Sequence, residues 1–337
     1  MRYQRILFFV MIALALSACG AGEPTATAAP IPTETPVVPP TLTAVPATPL
    51  AILIVPADLD PEASNLYQTT VYDLSQQSGM RFQVRNTLTA AELEPGLQVV
   101  IVLPPDPGIA ALAAAAPQVQ FLAINIPGIT AGGNISVLGN NVQTDIAAFL
   151  AGYTAAMITE DFRIGMLMPK DNADALTALN AYAAGMKYYC GTCRPLLFYP
   201  STFPQYLEIG AEEDPANYDA YADILILQHK VQTIYLHPDI VTSDLINYIG
   251  TTGVNMIGTV SPEQRPAGWV MTIQPNVIQA IQNAWPGLIS GQEGQAVQSP
   301  LGLADVDPLL LSEGKQRLVE QTLSELQAGR ISTVPNP

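Results

Sequence analysis

Ala51-Ile52-Leu53-Ile54-Val55 is the stretch that decides the fold. Five consecutive apolar residues, rich in β-branched side chains, are what a strand buried on both faces of a parallel sheet requires. Helical periodicity follows from about Glu62 to Gln77 and closes at Gly79. A strand is expected at Arg81–Val84 and a second buried strand at Gln98–Val102. An Ala-rich helix follows at 108–116, with strands at Gln120–Asn125 and Ile135–Leu138. Strands alternating with helices define βαβ units and a parallel sheet.

The alternation resumes further on. Helix is expected at Thr144–Ile158, strand at Arg163–Leu167, helix at Ala173–Lys187 and strand at Leu196–Tyr199. Pro215–Gln228 reads as helical, Thr233–Leu236 as strand, Val241–Ile249 as helix, and Val254–Gly258 and Trp269–Ile273 as strands. Helices at Asn276–Ile289 and Pro308–Ala328 close the pattern. No tandem repeat is visible. The expected fold is α/β, in two Rossmann-like lobes with parallel sheets.

The chain before residue 51 is of a different kind. Arg2 and Arg5 precede an apolar run from Ile6 to Leu16, then Leu16-Ser17-Ala18-Cys19. The run of about 11 residues is short of the ~20 that a membrane span needs. A basic start, a short apolar core and small residues form a signal peptide. The cysteine after the small residues resembles a bacterial lipoprotein signal, which implies cleavage after residue 18 and acylation of Cys19. Residues 19–50 carry Pro24, Pro30, Pro32, Pro36, Pro39, Pro40, Pro46 and Pro49 among Thr and Ala. Such a segment is expected to be an extended tether, at ~3.1 Å per residue reaching roughly 90 Å. The expected location is therefore the extracytoplasmic face of the cell membrane.

Composition narrows the chemistry. The 337 residues are 49% hydrophobic, with a formal charge of −16 and a mean hydropathy of +0.25. Charged residues are only 12%, so the acidity is thinly spread. No basic patch is present, and nucleic acid is not an expected partner. Cys190-Gly191-Thr192-Cys193 has the spacing of a redox pair, half a zinc site or a structural disulfide. The two histidines, His229 and His237, lack the paired spacing that zinc would need. A Cys190–Cys193 disulfide is favoured outside the membrane. No G-x-S-x-G, H-E-x-x-H, Walker loop or G-x-G-x-x-G occurs. The expectation is a protein with no catalytic residues, no metal and no cofactor.

Ligands of open α/β sheets lie beyond the carboxyl ends of the strands. Polar loops occur there in both halves: Asp58-Leu59-Asp60, Pro104-Pro105-Asp106, Asn140-Asn141-Val142-Gln143, Lys170-Asp171-Asn172, His237-Pro238-Asp239 and Ser261-Pro262-Glu263-Gln264. Two such domains facing each other make a cleft suited to a small polar ligand. Asp60 is also placed to cap the first helix.

Several segments resemble the basic membrane protein family of substrate-binding lipoproteins, which have the type I periplasmic binding protein fold. They are Ala115-Ala116-Pro117-Gln118-Val119-Gln120-Phe121, Ala148-Phe149-Leu150-Ala151-Gly152-Tyr153-Thr154-Ala155-Ala156 and Phe162-Arg163-Ile164-Gly165-Met166-Leu167. Tyr182-Ala183-Ala184-Gly185-Met186-Lys187 and Val254-Asn255-Met256-Ile257-Gly258 complete the set. The similarity runs over about 51–330. It implies a three-strand hinge, with lobe one at 51–143 plus 275–292 and lobe two at 144–274 plus 293–330. It also implies a monomer that closes on its ligand and delivers it to an ABC permease in the membrane.

Characterised members of that family often bind nucleosides, and this chain departs from their pattern. Asn65 matches a family Asn near the start of the first helix, but the accompanying aromatic is missing. After Gly258 comes Thr259-Val260-Ser261-Pro262-Glu263-Gln264, without the first Asp of the family's Asp-x-Asp-Gln. The usual late Lys is replaced by Gln274 or Pro275. A nucleoside-like ligand therefore stays open beside other polar solutes. The candidate cleft residues are Asp58, Asn65, Asp106, Asn141, Asp171, His237 and Gln274. Two other readings of the same fold are a sensor that signals to a membrane partner and an extracellular enzyme.

Overall fold

The first apolar run becomes β1 (Leu50–Ile54), and all five of its residues are buried. Its neighbours explain why. β1 pairs in parallel with β2 (Arg81–Arg85) on one side and with β3 (Leu97–Val102) on the other. β4 (Gln120–Ile124) and β5 (Ile135–Leu138) extend the sheet, all in parallel. The computed structural model describes residues 47–139, 143–193 and 202–334. The expected signal peptide, Cys19, most of the expected tether, Asn141 and the strand expected at 196–199 lie outside the described residues.

The two faces of the first sheet are covered by different helices. Leu50, Ile52 and Ile54 point into a cluster with Val100, Val102, Phe121 and helix α2 (Ile109–Ala115). Ala51 and Leu53 point the other way, against Val99, Ile101, Leu122, helix α1 (Pro61–Gln77) and Trp285. Alternation at period two within a continuous apolar run is what makes both faces dry. α1 starts with Pro61 at its first position, and Asp60 accepts from the Ala63 N–H at 2.9 Å as its cap.

The second sheet repeats the plan. β6 (Ile164–Pro169) pairs with β7 (Gln205–Ile209) and with β8 (Thr233–Leu236). β9 (Asn255–Gly258) and β10 (Trp269–Pro275) follow in parallel. Each sheet thus runs in the order 2-1-3-4-5 from its edge, and each gains a sixth strand late in the chain. The sixth strand of sheet one is β11 (Ala296–Val297), parallel to β5. That of sheet two is β12 (Leu301–Ala304), antiparallel to β10. Two α/β sheets of this order, in a chain that passes between them three times, are the type I periplasmic binding protein fold.

Helices α3 (Thr144–Ile158) and α4 (Ala173–Cys190) cover one face of sheet two and cross very closely. A Cβ at Gly152 would collide with the carbonyl of Tyr182, and one at Gly185 with the carbonyl of Phe149. Only glycine lets the two backbones meet. The expected helix at 215–228 has three geometries: a 3-10 turn at Pro215–Asn217, α5 (Tyr218–Asp223) and a π turn at Ile224–Gln228. α6 (Ser243–Gly250) follows β8. α8 (Glu313–Gln327) begins five residues later than the apolar pattern predicts, because Pro308–Leu310 form a turn before the Ser312 cap position.

The late crossings lie side by side. β10 ends at Pro275 and leads directly into α7 (Val277–Ile289), which packs on sheet one through Trp285. The chain returns through Gln298–Pro300 to β12. The Asn276 N–H donates to the Pro300 carbonyl at 2.7 Å, joining the two crossings. Cys190 and Cys193 form a disulfide at the end of α4, with Cα atoms 5.1 Å apart. Among the described residues, no helix is long and apolar enough to cross a membrane.

Candidate ligand site beside the crossing strands

Residues spaced along α1 divide the site into two hollows. Ala63, Leu66 and Tyr67 share one helix face at i, i+3 and i+4. They face Gln274, Pro275, Val277, Ile278 and Leu303 across a cavity of about 470 Å³. Ser64, Asn65 and Gln68 lie on the adjoining face. With Val84 and Asn86 they line a second hollow of about 370 Å³. The first cavity takes its walls from α1 of the first lobe, the crossing residues 274–278, and β12 of the second lobe. A ligand that filled it would meet residues of both lobes.

Gln274, on the wall of this cavity, belongs to a hydrogen-bond network whose other members lie outside the lining. Ser261 Oγ lies 2.6 Å from Asp305 Oδ2 and 3.2 Å from Gln274 Oε1. Thr272 Oγ1 donates to Asp305 Oδ2 at 2.7 Å and accepts from Trp269 Nε1 at 3.1 Å. The elements bring these residues together from far apart in sequence. Ser261 follows β9, Thr272 and Gln274 are on β10, and Asp305 follows β12. Asp305 has φ 52°, a left-handed backbone uncommon for a non-glycine residue. Gly258 leaves room for the indole behind the network: a Cβ there would lie 2.7 Å from the Trp269 ring.

The expected site residues are only partly gathered. Gln274 lines the larger cavity and Asn65 the smaller. Asp58 is exposed in the turn after β1, and Asp171 is exposed in a turn with φ 55°. Neither lines these cavities. Asp106 caps α2, accepting from the N–H groups of Gly108 and Ile109 at 2.9 Å each. Asn141 lies outside the described residues.

His237 is 2% exposed at the carboxyl end of β8. Its Nδ1 accepts from the Asp239 N–H at 3.3 Å. Its Nε2 is buried with no hydrogen-bond partner among the described residues. Burial pushes its pKa below the ordinary value, against the opposing pull of the Asp239 and Asp174 carboxylates. The neutral ring is therefore the favoured form. Burial also pushes the Tyr67 hydroxyl's pKa upward, which keeps it neutral.

Sequence reasoning missed Asp305, Thr272 and Trp269. The Ser261 loop was visible as a polar loop, but not its partners. Nothing in the spacing of Ala304-Asp305-Val306 points to a residue 44 positions upstream. Only the antiparallel return of β12 beside β10 makes the contact. Among the described residues, no group of three metal-ligating side chains is present.

No family model matches the sequence, and no curated protein matches it. Solved structures do. One is a transcriptional activator of the comK gene from Bacillus halodurans, 12% identical, covering 83% of this chain and 98% of that one, with a TM-score of 0.48. Another is an ABC transporter system solute-binding protein from Aeropyrum pernix K1, 15% identical, covering 85% and 92%, with a TM-score of 0.43. A third is a LacI family transcriptional regulator from Enterococcus faecium with bound ribose, 13% identical, covering 76% and 97%, with a TM-score of 0.36. These likenesses are distant, and the fold assignment rests on the strand order and crossings described above.

Proposed function

We propose that this chain is a lipid-anchored, extracytoplasmic solute-binding protein of the basic membrane protein type, which captures a small polar ligand and presents it to an ABC permease. The observation that carries the reading is the cavity between α1 and the crossing strands, whose walls come from both lobes. A ligand held there stabilises the arrangement in which both walls touch it, and lobe closure about the crossings follows. No bond is made or broken. The tether and Cys19 support the membrane assignment. Residues 148–156, 162–167 and 254–258 support the family assignment.

A thermal-shift screen of the protein against nucleosides, free bases, sugars, amino acids and small vitamins tests it. A ligand that binds the native state raises Tm with its excess over Kd. A dose-dependent rise with one class, lost in Gln274→Ala, is the expected result. Silence across the whole panel would overturn the reading. Metabolic labelling with a fatty acid, abolished by Cys19→Ala, checks the anchor.

A further inference from the structure

Gln274 is the polar group that both lines the cavity and belongs to the network, and the proton count fixes which end of its amide faces the ligand. A carboxylate only accepts, whereas a serine hydroxyl has one proton to give. The Ser261–Asp305 contact is 2.6 Å between oxygens, so a proton lies between them, and it is the proton of Ser261. Thr272 reaches the same carboxylate oxygen with its own proton, because its oxygen already accepts from Trp269 Nε1. Ser261 then has no proton left for Gln274.

Gln274 Oε1, which stands 3.2 Å from Ser261 Oγ, therefore has no proton to accept there, and turning the amide end for end puts Nε2 in that place as a donor. The distance agrees. At 3.2 Å it exceeds the usual O–H···O range and falls within the N–H···O range. Amide oxygen and nitrogen are distinguished by their partners and not by shape. We propose that the Asp305–Ser261 pair holds Gln274 with its NH2 turned to Ser261 and its carbonyl turned to the cavity, so that the site selects an uncharged ligand with an apolar body and an N–H or O–H donor. This rests on the solute-binding reading and deepens it.

The rest of the lining has the same character. Leu66, Tyr67, Val277, Ile278 and Leu303 supply the apolar wall. None of the residues lining this cavity is an acid, a lysine, an arginine or a histidine. A charged ligand would lose water there without gaining a counter-ion. Asp305 acts through Ser261 and Gln274 and is a positioning residue.

The test compares two probes of one shape, indole and benzofuran, in which the ring N–H is replaced by an oxygen acceptor. Saturation-transfer NMR titrations are made on the whole protein and on Ser261→Ala. The donor probe is expected to bind the wild type about fivefold more tightly, the order of one net hydrogen bond. In Ser261→Ala the amide is free to turn, and the preference should fall to near parity while indole still binds. Equal binding by the wild type, a preference for benzofuran, binding of neither probe, or an unchanged ratio in Ser261→Ala each overturns the inference. A Tm rise in the solute screen by a charged or purely polar ligand would overturn it too, while leaving solute binding intact.

Discussion

The two sheets share one strand order but differ in what lies against them. Sheet one is flanked by two separate apolar clusters, one under α2 and one under α1 and α7. In sheet two a single cluster surrounds the strands and includes the tight α3–α4 pair. Polar side chains are sealed into that second layer. Thr159 and Thr233 hydroxyls meet at 2.8 Å. Tyr182 and Tyr235 stack with ring centres 5.6 Å apart, both fully buried. Their hydroxyls, with Thr154 Oγ1 and His237 Nε2, have no hydrogen-bond partner among the described residues. Sheet one also buries polar side chains, Gln120 and Ser136 among them, so the difference lies in the stacked tyrosine pair and in one cluster against two.

The sharpest way to break this comparison is at the helix crossing. Gly185→Leu should destabilise the protein by about 3 kcal/mol, because the added atoms meet the backbone of Phe149 and the helices must part. Urea denaturation measures it, and an effect under about 1 kcal/mol would mean the crossing is not tight. Reduction of Cys190–Cys193 should lower stability by no more than about 2 kcal/mol, since the loop closed is only four residues long. Thermal melts with and without a reductant decide this, and a larger loss would assign the bond a role in holding the whole lobe.

Tyr235→Phe sharpens the polar side of the comparison. It removes a buried hydroxyl without a partner and should raise stability by about 1 kcal/mol. A loss of stability would show that the hydroxyl is bonded through water and that the layer is a satisfied network. Burial pushes the pKa of both tyrosines upward, which favours their neutral forms. The smallest effect is with pH. His237 has a lowered folded pKa, so the unfolded chain takes up its proton first as the pH falls. Its contribution to stability is whole above about 6.5 and declines below that toward the lowered folded value. Melts of the wild type and His237→Gln between pH 7 and 5 should therefore converge at the acid end.

Much of the fold was legible. β1, β3, β4, β6, β8 and β9 are interior strands of parallel sheets, and their burial on both faces wrote itself as apolar runs such as Ala51–Val55 and Val99–Val102. β7 was not legible: it is an edge strand with Gln205, Tyr206 and Glu208 only partly covered. β11 has two residues, too few for any period. β12 carries Gly302 and makes its bonds with β10, a strand 26 or more residues upstream. Of the site, Gln274 and Asn65 could be picked out as polar residues near strand and helix ends. Asp305 could not.

The sequence by itself determined the proline-rich stretch, the α/β alternation and most strand and helix boundaries, because these depend on neighbours within a few residues. Tertiary structure alone decided that β12 turns back against β10, that Asp305 meets Ser261, and that α1 forms a wall with the crossing strands. Those contacts join residues dozens of positions apart. Their geometry depends on how the late chain crosses between the sheets, which no local periodicity records.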